Sequence, residues 1–463
     1  MIRAIIDTFA NCFKIPELKS RIFFTLIVLG ICRLAAMVPI PGLDGAALTK
    51  WSEQSAQSGG LLGMYSLFTG GALERCALGS LGIMPYISAT IIIQLLSAVI
   101  PSLSKLAREE GGRTKIIQYG RYLTVLLCLG QGFVMAIGWE NAEKIFSGFQ
   151  GNLVLYENVW WYRIQTTILL TTGTLLLMWL GEQITERGIG NGISLVITIG
   201  ILARLPAAAQ GLYVMFFPPE GVEGKYNVFH AIALLLLLLA VVAGVIAVTQ
   251  AQRKIPVQYA QRMVGRKTYA GGSSFMPLRV NYAGVMPIIF AQAILMFPER
   301  ILQFLGESYD VKFLREMALH FREGALFYML VYGGMILFFS YFWVATQFNE
   351  LQIADDLKKH GGYIPGVRPG PKTSEFLHYT MSRITLAGAL FLTGIAIMPI
   401  LLNREMQIPF EVATFFGGTS LLILVGVMLD TMRQMESHLL MRHYDGFLRS
   451  GRGGKGPRLR GRL

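Results

Sequence analysis

The run Gly188-Ile189-Gly190-Asn191-Gly192 has the glycine spacing of a turn that could bring a backbone close to a dinucleotide pyrophosphate. That chemistry needs a strand before the turn. Here the run joins two long apolar segments, so it reads instead as a tight turn into a helix. No GxxxxGK[ST] phosphate loop occurs, which excludes nucleotide hydrolysis by that route. His230, His320, His360, His378, His438 and His443 lie in or beside loops without metal spacing. Cys12, Cys32, Cys76 and Cys128 show neither pairing nor ligand spacing and read as free thiols. The residues thus offer no catalytic set, no metal site and no cofactor. What remains is uncharged: Ser88, Thr90 and Gln94, then Asn191 and Ser194, then Asn281 and Gln292. Beside them stand isoleucines four apart on one helical face, Ile83 with Ile87 and Ile193 with Ile197. Such pairs read first as packing against lipid or neighbouring helices. An apolar constriction that seals by dewetting is the physically sound alternative.

The elements that must position these residues are membrane spans. Of 463 residues, 53% are hydrophobic and 15% charged, with a mean hydropathy of +0.50. A soluble chain carries about 25% charged residues. Apolar stretches of the length needed to cross a bilayer predict about ten spans, an all-α integral membrane protein. They are Arg21–Ile40, Leu78–Ile100, Gln118–Gly138, Trp161–Leu180, Asn191–Pro206, Phe229–Thr249, Ala283–Leu305, Ala325–Gln347, Ile384–Leu402 and Val412–Asp430. The fifth is short and contains Thr198 and Arg204. The first has no small-residue cleavage site after it and reads as retained.

The net charge of +13 must lie in loops and tails. With a cytoplasmic N-terminus, basic residues accumulate inside: Arg3 to Arg21, Lys105 to Arg121, Arg253 to Arg279, Lys358 to Arg383, and a tail from Arg433. The outer loops hold far fewer, so both termini are expected in the cytoplasm. This divides the chain into 1–206 with spans one to five, an outer hinge loop 207–227, 228–432 with spans six to ten, and a basic tail 433–463. Two inner loops, 250–282 and 348–382, are long, basic and rich in glycine, which marks them as functional.

Only Arg33 sits in the middle of a span. A secondary transporter usually carries intramembrane carboxylates, so their absence argues against one, although five spans on either side of 207–227 would allow an inverted repeat. An intramembrane enzyme needs a Ser/His, Asp/Asp or His-Glu-metal set inside the spans, and none is visible. The apolar, Gly-rich run Leu61 to Leu73 is too short to span and too apolar for a solvated loop. It reads as a segment that re-enters the protein and plugs or lines a cavity.

Several longer motifs, in order, resemble the SecY family, the channel subunits of bacterial protein translocases. They are Pro39-Ile40-Pro41-Gly42, Phe68-Thr69-Gly70-Gly71-Ala72-Leu73, the stretch Leu81 to Leu96, Glu182 to Ser194, Pro365 to Gly370 and Phe416 to Ile423. The resemblance runs from about Ile15 to Asp445. It implies two pseudo-symmetric five-helix halves around a central pore. At the waist it places a ring of Ile83, Ile87, Ile193, Ile197, Ile289 and Ile423. A plug within about 61–76 follows, built on Leu67, Phe68, Thr69, Gly70, Gly71, Ala72 and Leu73. A lateral gate is implied between spans two/three and seven/eight, with Ser88, Ile91 and Gln94 facing Phe297. Arg253, Lys254, Arg262, Arg266, Lys267, Lys358, Lys359 and Arg368 become the docking surface for the motor ATPase SecA and the ribosome, with Arg368 the foremost contact. The expected setting is the bacterial inner membrane, with the small subunits SecE and SecG, signal peptides and nascent chains as partners. The basic, Gly-rich tail Arg449 to Arg462 suits ribosomal RNA or anionic lipid.

Overall fold

In a computed structural model, the protein is described over residues 15–54, 69–109, 111–142, 149, 151–217, 226–259, 262–264, 267–269, 272–308, 311–321, 324–406, 408–417 and 419–450. The chain begins with α1 (Pro16–Ala35), a short α2 (Gly45–Gln54), α3 (Met84–Val99) and α4 (Pro101–Arg108). The long helices α5 (Gly112–Glu140) and α6 (Val159–Arg187) follow, then α7 (Gly192–Leu202) and α8 (Leu205–Phe216) as one bent pass. After α9 (Val228–Gln250) come β1 (Gln252–Tyr259), β2 (Arg262–Val264), β3 (Lys267–Tyr269) and β4 (Ser273–Arg279). Next are α10 (Met286–Ser308), α11 (Lys312–Phe321), α12 (Leu326–Gln347), α13 (Glu350–Lys359) and β5 (Gly362–Tyr363). The chain closes with α14 (Pro371–Met406), α15 (Phe410–Gly417) and α16 (Thr419–Ser450).

Among the described residues, 7 helices are long and apolar enough to cross a membrane by length and composition. The other three expected passes are α1, α3 and α10. This is a multi-pass membrane protein. Two expectations need correction. The second pass was expected from Leu78, yet its helix starts only at Met84, after a run of turns. Gly82 there has φ 60, and Gly79 packs on Ala35 and Ala36 so closely that a Cβ would meet their backbone at 3.3–3.4 Å. The positive φ at Gly82 cannot be part of a right-handed helix, so the helix starts after it. The outer hinge loop expected over 207–227 is also shorter, because α8 runs to Phe216. Pro206 in the first turn pre-sets a new helix, and the alanines after it favour its growth.

Packing follows two groups. In the first, α5 lies against α6 and α3, and α1 and α7 lie against α6. Arg121 reaches Glu182 at 3.0 and 2.8 Å, and Arg163 reaches Glu140 at 2.9 and 3.2 Å, so two bidentate pairs fasten α5 to α6. In the second group, α12 packs on α14 and α10, and α9 and α15 pack on α16. The groups meet where α3 touches α10, α7 touches α16 and α8 touches α15.

The two long basic loops, separate in sequence, form one small domain. Antiparallel β1 and β4 pair from Gln252↔Arg279 to Gln258↔Ser273. β5 from the second loop adds to β1 through Gln258↔Tyr363. Alternation along β1 sends Ile255 and Val257 inward. Ile255 joins Leu278, Val344, Phe348, Ile364, Leu377 and Met381 in one apolar core, which seats the sheet on α12 and α14. Leu278 is fully buried there, at 0% exposure. Leu278→Asp would put a carboxylate in that core at a cost of several kcal/mol, roughly 2–7 even for a neutral polar group. We expect trypsin to cut at Arg253 and Lys254 much faster in this variant while the helical melting of the spans stays near wild type. Unchanged cleavage would show that the sheet does not depend on this core.

Candidate functional site

Four helices supply the six isoleucines. Asn191 caps α7 by accepting from the Ile193 and Ser194 amides at 3.1 and 3.3 Å. That cap sets the helix phase that puts Ile193 and Ile197 on one face. Ile83 caps α3, with Ile87 one turn on. Ile289 comes from α10 and Ile423 from α16. Ile83, Ile87, Ile197, Ile289 and Ile423 are all buried, at 3% exposure or less. They share one apolar cluster, against which Ile193 packs. The cluster offers no strong hydrogen-bonding group at these six positions. An extended chain could therefore slide past without being held, and water is disfavoured when nothing fills the gap.

The glycine-rich turn before α7 is filled by the protein itself. The amides of Ile189, Gly190 and Gly192 donate to Thr25 Oγ1, Gln434 Oε1 and Thr185 Oγ1 at 3.1, 2.8 and 2.9 Å. These three amides are therefore not free for a phosphate. The turn instead ties α1, α6 and α16 together.

Of the expected plug, Leu67 and Phe68 lie outside the described residues. Thr69, Gly70, Gly71, Ala72 and Leu73 are all buried. This irregular backbone is satisfied from within. Ser80 Oγ donates to the Ala72 and Ala77 carbonyls, and the Ala77 amide also donates to Ala72 at 3.0 Å. The Ile40 amide donates to Cys76, the Leu78 amide to Val38 and the Gly79 amide to Ala35. Arg33, read as mid-span, sits near the C-terminus of α1 and donates to the Gly70 carbonyl at 3.2 Å. Glu74 forms an ion pair with Arg204 at the break between α7 and α8. No role for Glu74 follows from its neighbours in the chain, and only proximity of residues 130 positions apart supplies one. A cavity of ≈ 20 Å³ lies between Arg33, Thr69, Ile83 and Gly200, enough for about one water.

At the expected gate, α3 and α10 are in contact. Ile91 is buried, and Ser88 and Gln94 are half-buried. The Phe297 side chain lies outside the description, although its backbone belongs to α10. Pro298 within α10 removes one backbone donor from that wall, a feature the sequence reading passed over. Gln292, on the same helix, is buried, and its Oε1 accepts no hydrogen bond from the described residues.

On the basic sheet, Arg253, Lys254, Lys358, Lys359 and Arg368 are exposed. Arg262 and Lys267 hold positions in β2 and β3 with undescribed side chains, and Arg266 lies outside the described residues. Arg368 stands in an open groove with Val367, Lys372, Glu375, Phe376 and Tyr379. Its carbonyl accepts from Thr373 Oγ1 at 2.9 Å, which pins the loop to the start of α14. Lys372 and Glu375 pair at 2.7 Å. Their hydrogen bond holds the ammonium pKa above, and the carboxyl pKa below, the ordinary values.

Comparison with known proteins bears on this arrangement. The SecY family model matches residues 77–432. The protein translocase subunit SecY of Chlamydia trachomatis serovar D is 40% identical over 452 residues, covering 96% of this chain and 98% of its own. Among solved structures, the SecY protein whose plug domain stabilizes the closed state of its translocation channel aligns over 90% of this chain and 91% of its own, at TM-score 0.55 and 18% identity. The idle yeast Ssh1 complex bound to the yeast 80S ribosome aligns over 92% and 89%, at TM-score 0.55 and 15% identity.

Cys76 has an exposure of 0% and a positive φ of 47, held between Leu73 and Ile40 by backbone bonds. Its thiol is expected to react with maleimide at least about a hundredfold more slowly in the resting protein than in denatured chain, since reaction requires local opening. Peptide mass spectrometry reads this directly. Rapid labelling at rest would mean that the segment is not seated as described.

Proposed function

The chain belongs to the SecY family, and on that premise we propose that it forms a channel for unfolded polypeptides, not an enzyme. One observation supports the reading: six isoleucines from four helices fall in or against one apolar cluster, and a tethered irregular segment leads into Ile83. In this reading Ile83, Ile87, Ile193, Ile197, Ile289 and Ile423 form the ring. Residues 69–73 belong to the plug. The seam between α3 and α10, with Ser88, Ile91, Gln94 and Phe297, is the lateral gate that releases apolar segments into the bilayer. Ser88 and Gln94 are half-buried along this seam, so it is less uniformly apolar than the core beside it.

The basic sheet is the cytoplasmic docking face for a motor ATPase of the SecA type and for the ribosome. Its exposed cations suit phosphate and acidic surfaces. SecE- and SecG-like subunits would cover part of the exposed apolar belt, and anionic lipid would neutralise the basic tail. The setting is the bacterial inner membrane with both termini inside.

Two measurements test this. Vesicles holding the complex, supplied with motor and ATP, should take up an unfolded secretory precursor, and Arg368→Glu should cut uptake by about tenfold or more by setting repulsion against attraction at the docking face. Equal uptake would remove Arg368 from that face. Separately, Ser88→Cys with Phe297→Cys should stop uptake on oxidation and recover on reduction. Undiminished uptake with the crosslink fully formed would falsify the gate assignment.

A further inference from the structure

Beneath the plug lies a group of charges that a simple steric seal does not require. Glu74 and Arg204 keep only 22% and 14% of their side chains exposed. Charges held this deep in a membrane protein are costly unless paired and are retained for a task. Arg204 occupies a mechanical joint. Ala203 ends α7 and Arg204 begins α8, so the pass bends at this residue. Its guanidinium also lies over the plug backbone, where a Cβ on Gly71 would meet its Cζ and Nε at 3.6 Å. Downstream, α8 places Leu212, Met215 and Phe216 in one apolar cluster with Leu402, Ile408, Val412 and Ala413 of the second helical group. One residue therefore grips the plug with its side chain and starts, with its backbone, the helix that bears on the other half.

We infer that the Glu74–Arg204 pair is a latch that couples release of the plug to separation of the two helical groups. The inference rests on the channel reading and adds its regulation. A shift of α15 carries α8 with it, because the two share a packed apolar interface. The movement pivots at the bend at residues 203–204 and draws the guanidinium away from Glu74. The seated plug then loses its carboxylate–guanidinium pair and keeps the hydrogen bond from Arg33 to the Gly70 carbonyl. Arg33 positions the plug, and the Glu74–Arg204 pair senses the second half.

The test uses the full-length chain purified with its accompanying subunits and placed in planar bilayers. Glu74→Gln and Arg204→Gln should each raise the idle ion conductance by about tenfold or more, since removing one partner of a partly buried pair disfavours the closed state. The double variant should leak no more than either single, because both remove the same interaction. Additive effects, or idle conductance unchanged in both singles, overturn the latch. Thermal melting of each variant controls for folding. If Arg204→Gln fails to fold, Arg204→Lys, which keeps the charge and loses the planar fork, should give an intermediate leak; no leak would count against the latch. Precursor uptake by the wild-type complex is measured in parallel. Its absence overturns the channel reading, whereas uptake with no change in variant conductance overturns the latch alone.

Discussion

Irregular backbone at membrane depth must find its hydrogen bonds inside the protein, because hydrocarbon offers none. Much of the first half is arranged around that constraint. The segment from Gly70 to Ile83 is neither helix nor strand, yet its carbonyls and amides are met by Arg33, Ser80, Ile40, Val38 and Ala35. Glycines at 70, 71 and 82 take positive φ so that these bonds can form in a narrow space. Gly173 in α6 gives up its side chain to the backbone of Leu78 for the same reason. The segment is thus held by a few bonds to α1 and the turn after it and by others within itself, not by a continuous helical ladder.

Packing divides into contacts within the helical groups and contacts between them. Within the first group, bidentate Arg–Glu pairs and threonines buried along α6 fix α5 and α6 together. Between the groups, the α3–α10 seam has Ser88 and Gln94 half-buried on one wall and a proline inside the other. On the far side, the turn 188–192 is bonded to α16, and α8 is seated on α15. Contacts of α3 with α10, α7 with α16 and α8 with α15 thus join the two groups. The core of the basic sheet is shared with α12 and α14.

A good part of this was legible in the residues. Ten apolar passes and the placement of Ile83 with Ile87 and of Ile193 with Ile197 one helical turn apart follow from hydropathy and spacing. The family motifs were the source of the expectation that Ile289 and Ile423 belong with them. Two boundaries were misread because hydropathy does not see backbone. Leu78 to Ile83 is as apolar as a helix but is bent by Gly79 and Gly82, and 207–216 looked like a loop although Pro206 starts a helix there.

Hydrophobic length and charge bias are local quantities, so the sequence by itself determined that the chain crosses a membrane repeatedly and which loops carry its positive charge. Pairings between distant residues are not local. Tertiary structure alone decided that Glu74 meets Arg204, that Arg33 holds Gly70, and that two loops some hundred residues apart share one sheet through Gln258 and Tyr363. Each of these depends on how whole helices pack. A partner 130 positions away leaves no trace in the composition around either residue.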